Sequence, residues 1–359
     1  MTRAWTHRAA GPDDYAEQCR LFNDCFGKSK TVDTFRWKYG ENPHGSAVSR
    51  VACDSEGRIV GSYSYVPRRF RRDGQSLMLM QASDAMVDQS ARRQGIFTGL
   101  DDIVCEASGE LGISWAYAYS GRLSLNGFLG NGWDCIGHAP VFRYRFSSRP
   151  SLARSGRIAP LAVLAAPLID RAFRLSDRRL WGHRAAQAAM EPIERFDGSA
   201  TELFEACVPT EGLMGERDAA WLNWRYIDNP SKRQECFALR DAEDGRMLGW
   251  LVAEFVNGNA FLVDHLALDE ALRAVLLAGF TVMAQQRGMA EATAMLFSHH
   301  PAVPALQALG WKGPRKDKPF RDMFPWIVRA VRSDAPANDT QMTRWLLADG
   351  DRDAEHMSP

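Results

Sequence analysis

Between Ser83 and Leu100 the chain reads Ser-Asp-Ala-Met-Val-Asp-Gln-Ser-Ala-Arg-Arg-Gln-Gly-Ile-Phe-Thr-Gly-Leu. An apolar strand end at Val87 runs through a basic, glycine-bearing turn into a helix start. Residues of these types in this order suit the binding of a phosphate group. The N–H groups of a helix's first turn have no partner inside the helix, and the helix dipole adds partial positive charge there, so an anion finds donors without a dedicated side chain. Gly95 lets the backbone come close to such a ligand, and Arg92 and Arg93 add charge. An ordinary helix with a capped basic turn would carry the same letters, so the elements around the turn decide what it means.

Downstream, a helix runs to about Gly112, an apolar aromatic strand follows at Ile113-Ser-Trp-Ala-Tyr-Ala-Tyr119, and a short helix ends in Phe128-Leu-Gly-Asn-Gly132-Trp133. The chain also repeats itself. Trp37-Lys-Tyr-Gly-Glu-Asn-Pro43 returns as Trp224-Arg-Tyr-Ile-Asp-Asn-Pro230, and each copy precedes two strands joined at a turn glycine, Gly57 or Gly245. Leu262-Val-Asp-His-Leu-Ala-Leu268 takes the place of the strand at Ala82 to Val87, and the segment ending Gly310-Trp311 takes that of Gly132-Trp133. A period of about 190 residues means two domains of one fold, because solenoid repeats are far shorter. In the second copy the basic turn is replaced by Asp269-Glu-Ala-Leu-Arg-Ala-Val275, whose acids suit a helix start but repel a pyrophosphate. The Trp-Tyr-Asn-Pro segments read either as core anchors with a stop signal or as the lining of a substrate groove.

The Arg92 and Gly95 spacing after an apolar strand, with the order of elements that follows, resembles the acetyl-CoA motif of the GNAT N-acetyltransferase superfamily. The pattern departs at its last position, where Phe97 stands in place of glycine or alanine. The resemblance implies a mixed α/β fold of two tandem GNAT-like domains. These are expected at 1–146, holding acetyl-CoA, and at 190–332, degenerate, with a basic helical linker at 147–189 and a polar tail at 333–359. It implies that the pyrophosphate meets Arg92, Arg93, Gln94, Gly95, Ile96, Phe97 and Thr98, with Phe128 nearby, while the pantetheine arm inserts between splayed fourth and fifth strands and pairs with Met86 and Val87. Transfer of the acyl group to a primary amine of a small molecule or amino sugar then needs a base and an acid. The family's carboxylate on the fourth strand falls at Asp84 or Asp88, which strand alternation puts on one face with Val87 on the other. Asp84 lies deeper, where burial would raise its pKa towards that of a useful base, or else it is a strand aspartate held by a neighbouring side chain. The family's tyrosine acid falls at Phe128, so Tyr119 or Tyr117 must substitute, or water. A longer acyl donor on CoA or a carrier protein, and a non-catalytic acyl-CoA sensor, are the other readings.

Lys plus Arg and Asp plus Glu balance at 44 each, which leaves no global field for nucleic acid. Seven cysteines at 19, 25, 53, 105, 135, 207 and 236 lack a Cys-x-x-Cys pair, which argues against a disulfide framework and a structural zinc, and for a reducing cytoplasm. No metal is expected, and the start has no signal-peptide core. Nine arginines against two aspartates lie between Val141 and Leu180. That linker, about 150–180, reads as a solvated helix packed on the lobes or as a contact for an anionic membrane or carrier protein. His265, His299 and His300 end the second copy's strands, in structural or substrate roles. The aspartates 349, 351 and 353 miss the glycine and glutamate of a calcium loop and read as a frayed tail, with Trp345 over the groove as the other reading.

Overall fold

The computed structural model describes residues 5–148, 164, 190–231, 233–314, 323–336 and 340–352. The linker expected at 147–189 lies almost wholly outside them. The first half opens with β1 (Thr6–Ala9), α1 (Tyr15–Phe26) and α2 (Val32–Gly40) and continues with β2 (Val48–Cys53), β3 (Ile59–Arg72) and β4 (Gln75–Val87). It closes with α3 (Ile96–Glu110), β5 (Trp115–Tyr119), α4 (Arg122–Leu129) and β6 (Asp134–Arg145). The second half follows the same order with β7 (Met190–Ile193), α5 (Gly198–Cys207), β8 (Leu213–Gly215), α6 (Ala219–Leu222), β9 (Gln234–Arg240), β10 (Met247–Val256) and β11 (Asn259–Ala267). Then come α7 (Glu270–Gln286), β12 (Glu291–Met295), α8 (Ala302–Ala308), β13 (Met323–Ala330) and a short β14 (Trp345–Leu346). Gly57 and Gly245 sit at the hairpin turns with φ of 81° and 74°, a region that a side chain would strain.

All the strands of the described residues join one sheet, ordered β1-β2-β3-β4-β5-β13-β6-β12-β11-β10-β9-β7, with β8 and β14 attached through β3. This order corrects the expectation of two lobes that follow one another along the chain. β13, from the second half, lies between β5 and β6 of the first, and β6 runs on to pair with β12 of the second. Burial explains the exchange. Trp326, Ile327 and Val328 of β13 are fully buried, Ile327 packing under α3 and its two neighbours into the core on the opposite face. A strand buried on both faces must be paired on both edges as well, or its backbone groups go unsatisfied.

The repeated aromatic segments anchor the two halves to each other. Trp37 and Trp224 stack with ring centroids 4.7 Å apart, and each indole Nε1 donates to the other's backbone carbonyl, at 2.7 and 3.0 Å. Of the two readings of this motif, core anchor is the one the geometry shows. The tail also differs from expectation. Trp345, Asp349 and Asp351 are buried rather than frayed, with Trp345 packed against Phe70, Tyr117 and Trp326. Among the described residues no helix is long and apolar enough to cross a membrane.

Candidate active site

β4 pairs with β5 only at Met80 and Gln81, so beyond Gln81 the two strands part and the facing edge of β4 has no ladder partner. On its other edge β4 holds an extra residue. Ser62 lies opposite Met86 and Ser64 opposite Ser83, a bulge in which Asp84 takes a φ of 48°. Past the strand end, the turn into α3 places Arg93 and Gly95 in left-handed backbone, at φ 64° and 74°. The first helical bond is made by the Gly99 N–H to the Gly95 carbonyl at 2.9 Å, and no side chain caps the helix. The N–H groups of Ile96, Phe97 and Thr98 are left for a ligand.

These elements enclose a groove of about 370 Å³ lined by Cys25 and Phe26 at the end of α1, Ala85, Met86 and Val87 of β4, and Arg92, Arg93, Gly95, Ile96, Phe97 and Thr98. Eight of the ten residues expected to meet the cofactor are thus gathered in one place. Gln94 does not line the groove; its backbone carbonyl accepts from the Trp5 indole at 3.1 Å. Phe128 is buried behind the groove, its ring 5.2 Å from Phe97 and 5.1 Å from Trp133, so its part is to hold the Phe97 ring. Phe97 in turn stacks on Tyr63 at 6.0 Å, which explains how a large side chain is accommodated at the motif's last position.

Of the two readings of Asp84, the structure shows the held strand aspartate rather than the poised base. Its Oδ2 accepts from Lys38 Nζ at 2.8 Å and Tyr39 Oη at 2.7 Å. Burial pushes the carboxyl up, but the charges of Lys38 and Lys30 and the hydrogen bonds from Lys38 and Tyr39 outweigh it and hold the group below the usual carboxylate range. Asp88 does not share its face either, because the bulge breaks the alternation and Asp88 caps the following turn, accepting from the Ser90 N–H at 2.9 Å. Lys38→Met should therefore destabilise the fold by about 3–5 kcal/mol at pH 7 by leaving a buried carboxylate uncompensated. In the wild type the contribution of Asp84 is present above its unfolded pKa of about 3.9 and fades as pH falls through its lower folded value. In the variant the pKa is raised instead, so the deficit measured by urea unfolding should shrink between pH 7 and pH 4.

Tyr119 ends β5 on the sheet face opposite α3, 4.4 Å from Trp326 between ring centroids. Its hydroxyl is buried without a hydrogen-bond partner, and burial, with the nearby Asp351 and Asp349 carboxylates, raises its pKa well above the usual value. It is therefore a proton holder at neutral pH rather than a base. Arg352 lies 5.9 Å from the Tyr119 ring and pairs with Asp349 at 3.1 Å, and burial holds the Asp349 carboxyl above its usual range.

Sequence reasoning missed the network behind these residues. Arg217 donates from Nε to both oxygens of Asp264 at 3.1 Å and from its terminal nitrogen to Asp351 at 2.7 Å. Arg68 meets the other oxygen of Asp351 at 3.4 Å and lies 3.5 Å over the Trp221 ring. Gln81, where β4 and β5 part, donates to the Asp351 carbonyl at 2.7 Å. A signal for part of it was present: Tyr226 Oη donates to Asp264 at 2.9 Å as Tyr39 does to Asp84, and both tyrosines belong to the repeated motif.

A splayed pair of parallel strands beside an uncapped helix start defines the acyl-CoA N-acyltransferase class of fold. Residues 6–128 match the acetyltransferase (GNAT) domain family. The match lies within the first half of the chain, and the solved structures that follow share its fold. In structure it is similar to a GCN5-related N-acetyltransferase from Anabaena variabilis (TM-score 0.62, 14% identity, covering 91% of this chain and 73% of that one). It is also similar to a putative acetyltransferase from Pyrococcus horikoshii (0.53, 12%, 98% and 96%) and to Saccharomyces cerevisiae N-myristoyltransferase with bound myristoyl-CoA (0.57, 10%, 93% and 81%). No curated protein matches the chain in sequence.

Proposed function

We propose that the protein transfers an acetyl group from acetyl-CoA to a primary amine of a small molecule or amino sugar, and that the first half alone holds the acyl donor. The observation that carries this reading is the groove at the parted strands, where uncapped helical N–H groups, left-handed backbone at Arg93 and Gly95, and two exposed arginines converge. In the second half the corresponding helix start is filled from within, since Asp269 accepts from the Leu272 N–H at 2.7 Å. When bound, acetyl-CoA supplies an activated acyl thioester. Arg92, Arg93 and the N–H groups of Ile96 to Thr98 would hold its pyrophosphate, and the unpaired edge of β4 at Met86 and Val87 would align its amide-bearing arm.

On the far face of the sheet Tyr119 would give its proton to the departing thiolate, and Asp349, whose carboxyl burial holds above its usual range, would take the proton of the amine. Asp84 is then a positioning residue: it ties the Trp-Lys-Tyr segment to the bulge that shapes the mouth of the groove. Seven free cysteines accord with work in the reducing cytoplasm.

Transfer of labelled acetyl from acetyl-CoA to a panel of amines tests the reading directly. With a substrate in hand, Tyr119→Phe should lower kcat by about 10²-fold while leaving acetyl-CoA affinity unchanged. Acetyl-CoA binding without transfer to any amine would favour a sensor. A longer-chain donor is the second reading, supported by the aromatic wall that Phe97, Tyr63 and Phe128 build behind the groove.

A further inference from the structure

The second half holds a cavity of about 240 Å³ in the position that corresponds to the acyl-CoA groove. Its walls come from the end of α5 at Ala206 and Cys207, as Cys25 and Phe26 end α1 in the first half, and from β11 between Asp264 and Ala267. His265, His300 and Arg273 bring polar groups into it, and Met214, Leu266, Leu268, Pro301 and Leu346 make much of the rest apolar. Three observations show polar capacity that the protein leaves unused. His265 is 5% exposed, and neither of its ring nitrogens has a hydrogen-bond partner. His300, its ring centroid 5.4 Å from that of His265, accepts the Ala302 N–H on Nδ1 at 3.1 Å, so its proton sits on Nε2 as a donor. Arg273 is partly buried, on the first turn of α7, and makes no hydrogen bond or ion pair with any described residue. Orphaned donors of this kind are rare in native interiors and are costly to keep without a ligand.

We propose that this cavity binds a small monocarboxylate with a short apolar body. One guanidinium supplies one positive charge, and its fork matches the two oxygens of a carboxylate. The histidines add neutral N–H donors, because burial together with the charges of Arg273 and Arg217 lowers the pKa of His265 to about 3. A phosphate dianion fits less well. The α7 N–H that would hold it is taken by Asp269, and Asp269 and Glu270 lie beside Arg273. Asp264, though part of the wall, is spent on Arg217 and Tyr226. The volume accommodates about eight water-sized groups, enough for an acid of four or so carbons, at roughly 30 Å³ for each water. The site is separate from the acyl-CoA groove and does not depend on the reading of that groove.

Sodium butyrate titrated into the full-length protein, followed by calorimetry and thermal unfolding, tests this. A saturable heat and a rise in Tm of a few degrees are expected, neither of which butyramide nor inorganic phosphate should reproduce. Arg273→Gln should weaken butyrate binding at least 10-fold while the ligand-free variant keeps the cooperative thermal transition and circular-dichroism spectrum of the wild type, which shows the variant folded. His265→Phe, filling the cavity with an apolar ring, should also abolish butyrate binding. No saturable heat with butyrate up to 10 mM, equal stabilisation by butyramide, stabilisation by phosphate instead, or an Arg273→Gln variant that binds butyrate undiminished would each overturn the proposal.

Discussion

Acetyl-CoA titrated into Gly95→Glu should give no measurable heat where the wild type binds one equivalent, a loss of at least 100-fold in affinity, or about 2.7 kcal/mol. Two effects act together. Gly95 has a φ of +74°, so any side chain strains the turn by about 1 kcal/mol even though no atom lies within 4 Å of where its Cβ would be. The new carboxylate then sits at the helix start where the pyrophosphate is to be held, and two like charges 5–6 Å apart at an effective dielectric of about 20 repel by roughly 3 kcal/mol. Gly95→Ala separates these contributions, since it keeps the backbone strain and adds no charge. It should weaken binding far less than the glutamate. Equal losses for both variants would assign the effect to backbone geometry alone, and unchanged binding by Gly95→Glu would move the donor away from this turn. A wild type that binds no acetyl-CoA but binds a longer acyl-CoA would favour the second reading of the donor.

Replacement of Arg217 by methionine is expected to cost about 3–5 kcal/mol, enough to consume much of a domain's net stability. Arg217 is 2% exposed, and its guanidinium links Asp264, Asp351 and the Gly215 carbonyl. Methionine fills the volume but supplies no charge, so Asp264 keeps only Tyr226 and its own strand's His265 N–H, and Asp351 keeps only Arg68 and the Ala348 N–H. Asp264 is already pushed above its usual pKa by burial, and it would rise further without its cation. The deficit should accordingly be greatest at neutral pH and smaller near pH 5, where the carboxyl takes up a proton. Limited proteolysis offers a second readout, because Asp351 ties the end of the segment from Trp345 to Arg352 to the buried cations Arg68 and Arg217. That segment should become the first site cleaved. An Arg217→Met variant as stable as the wild type, with the same cleavage pattern, would show that the network contributes little.

The groove was legible because its signal is local. Backbone N–H groups at a helix start, a left-handed glycine and neighbouring arginines all lie within seven residues, and spacing alone brings them together. The repeat was legible for a different reason: Trp37 and Trp224 are embedded in seven-residue copies that chance does not produce. What went unread depends on contacts distant in sequence. Position inside a strand leaves Asp84 open to two readings, desolvated base or held aspartate, and the partner that decides between them, Lys38, lies 46 residues earlier on a helix. The bulge that frees Asp88 to cap a turn leaves no mark in composition. Asp351 looked like part of a frayed tail because its cations, Arg68 and Arg217, stand 283 and 134 residues away. The order of the central strands was hidden for the same reason, since nothing in the letters of β13 says which half it completes.

The placement of β13 sets a timetable for synthesis. β5 and β6 leave the ribosome by residue 145, yet the strand that lies between them ends at Ala330. At the usual 5–20 residues per second, the intervening stretch takes roughly 10 to 40 s to make. Throughout that interval the nascent first half carries two open strand edges on either side of a missing neighbour, which is the geometry that recruits foreign strands. The cell must shield the unfinished sheet or make the chain quickly, and a message truncated before codon 323 would yield a polypeptide bound for aggregation rather than a smaller enzyme.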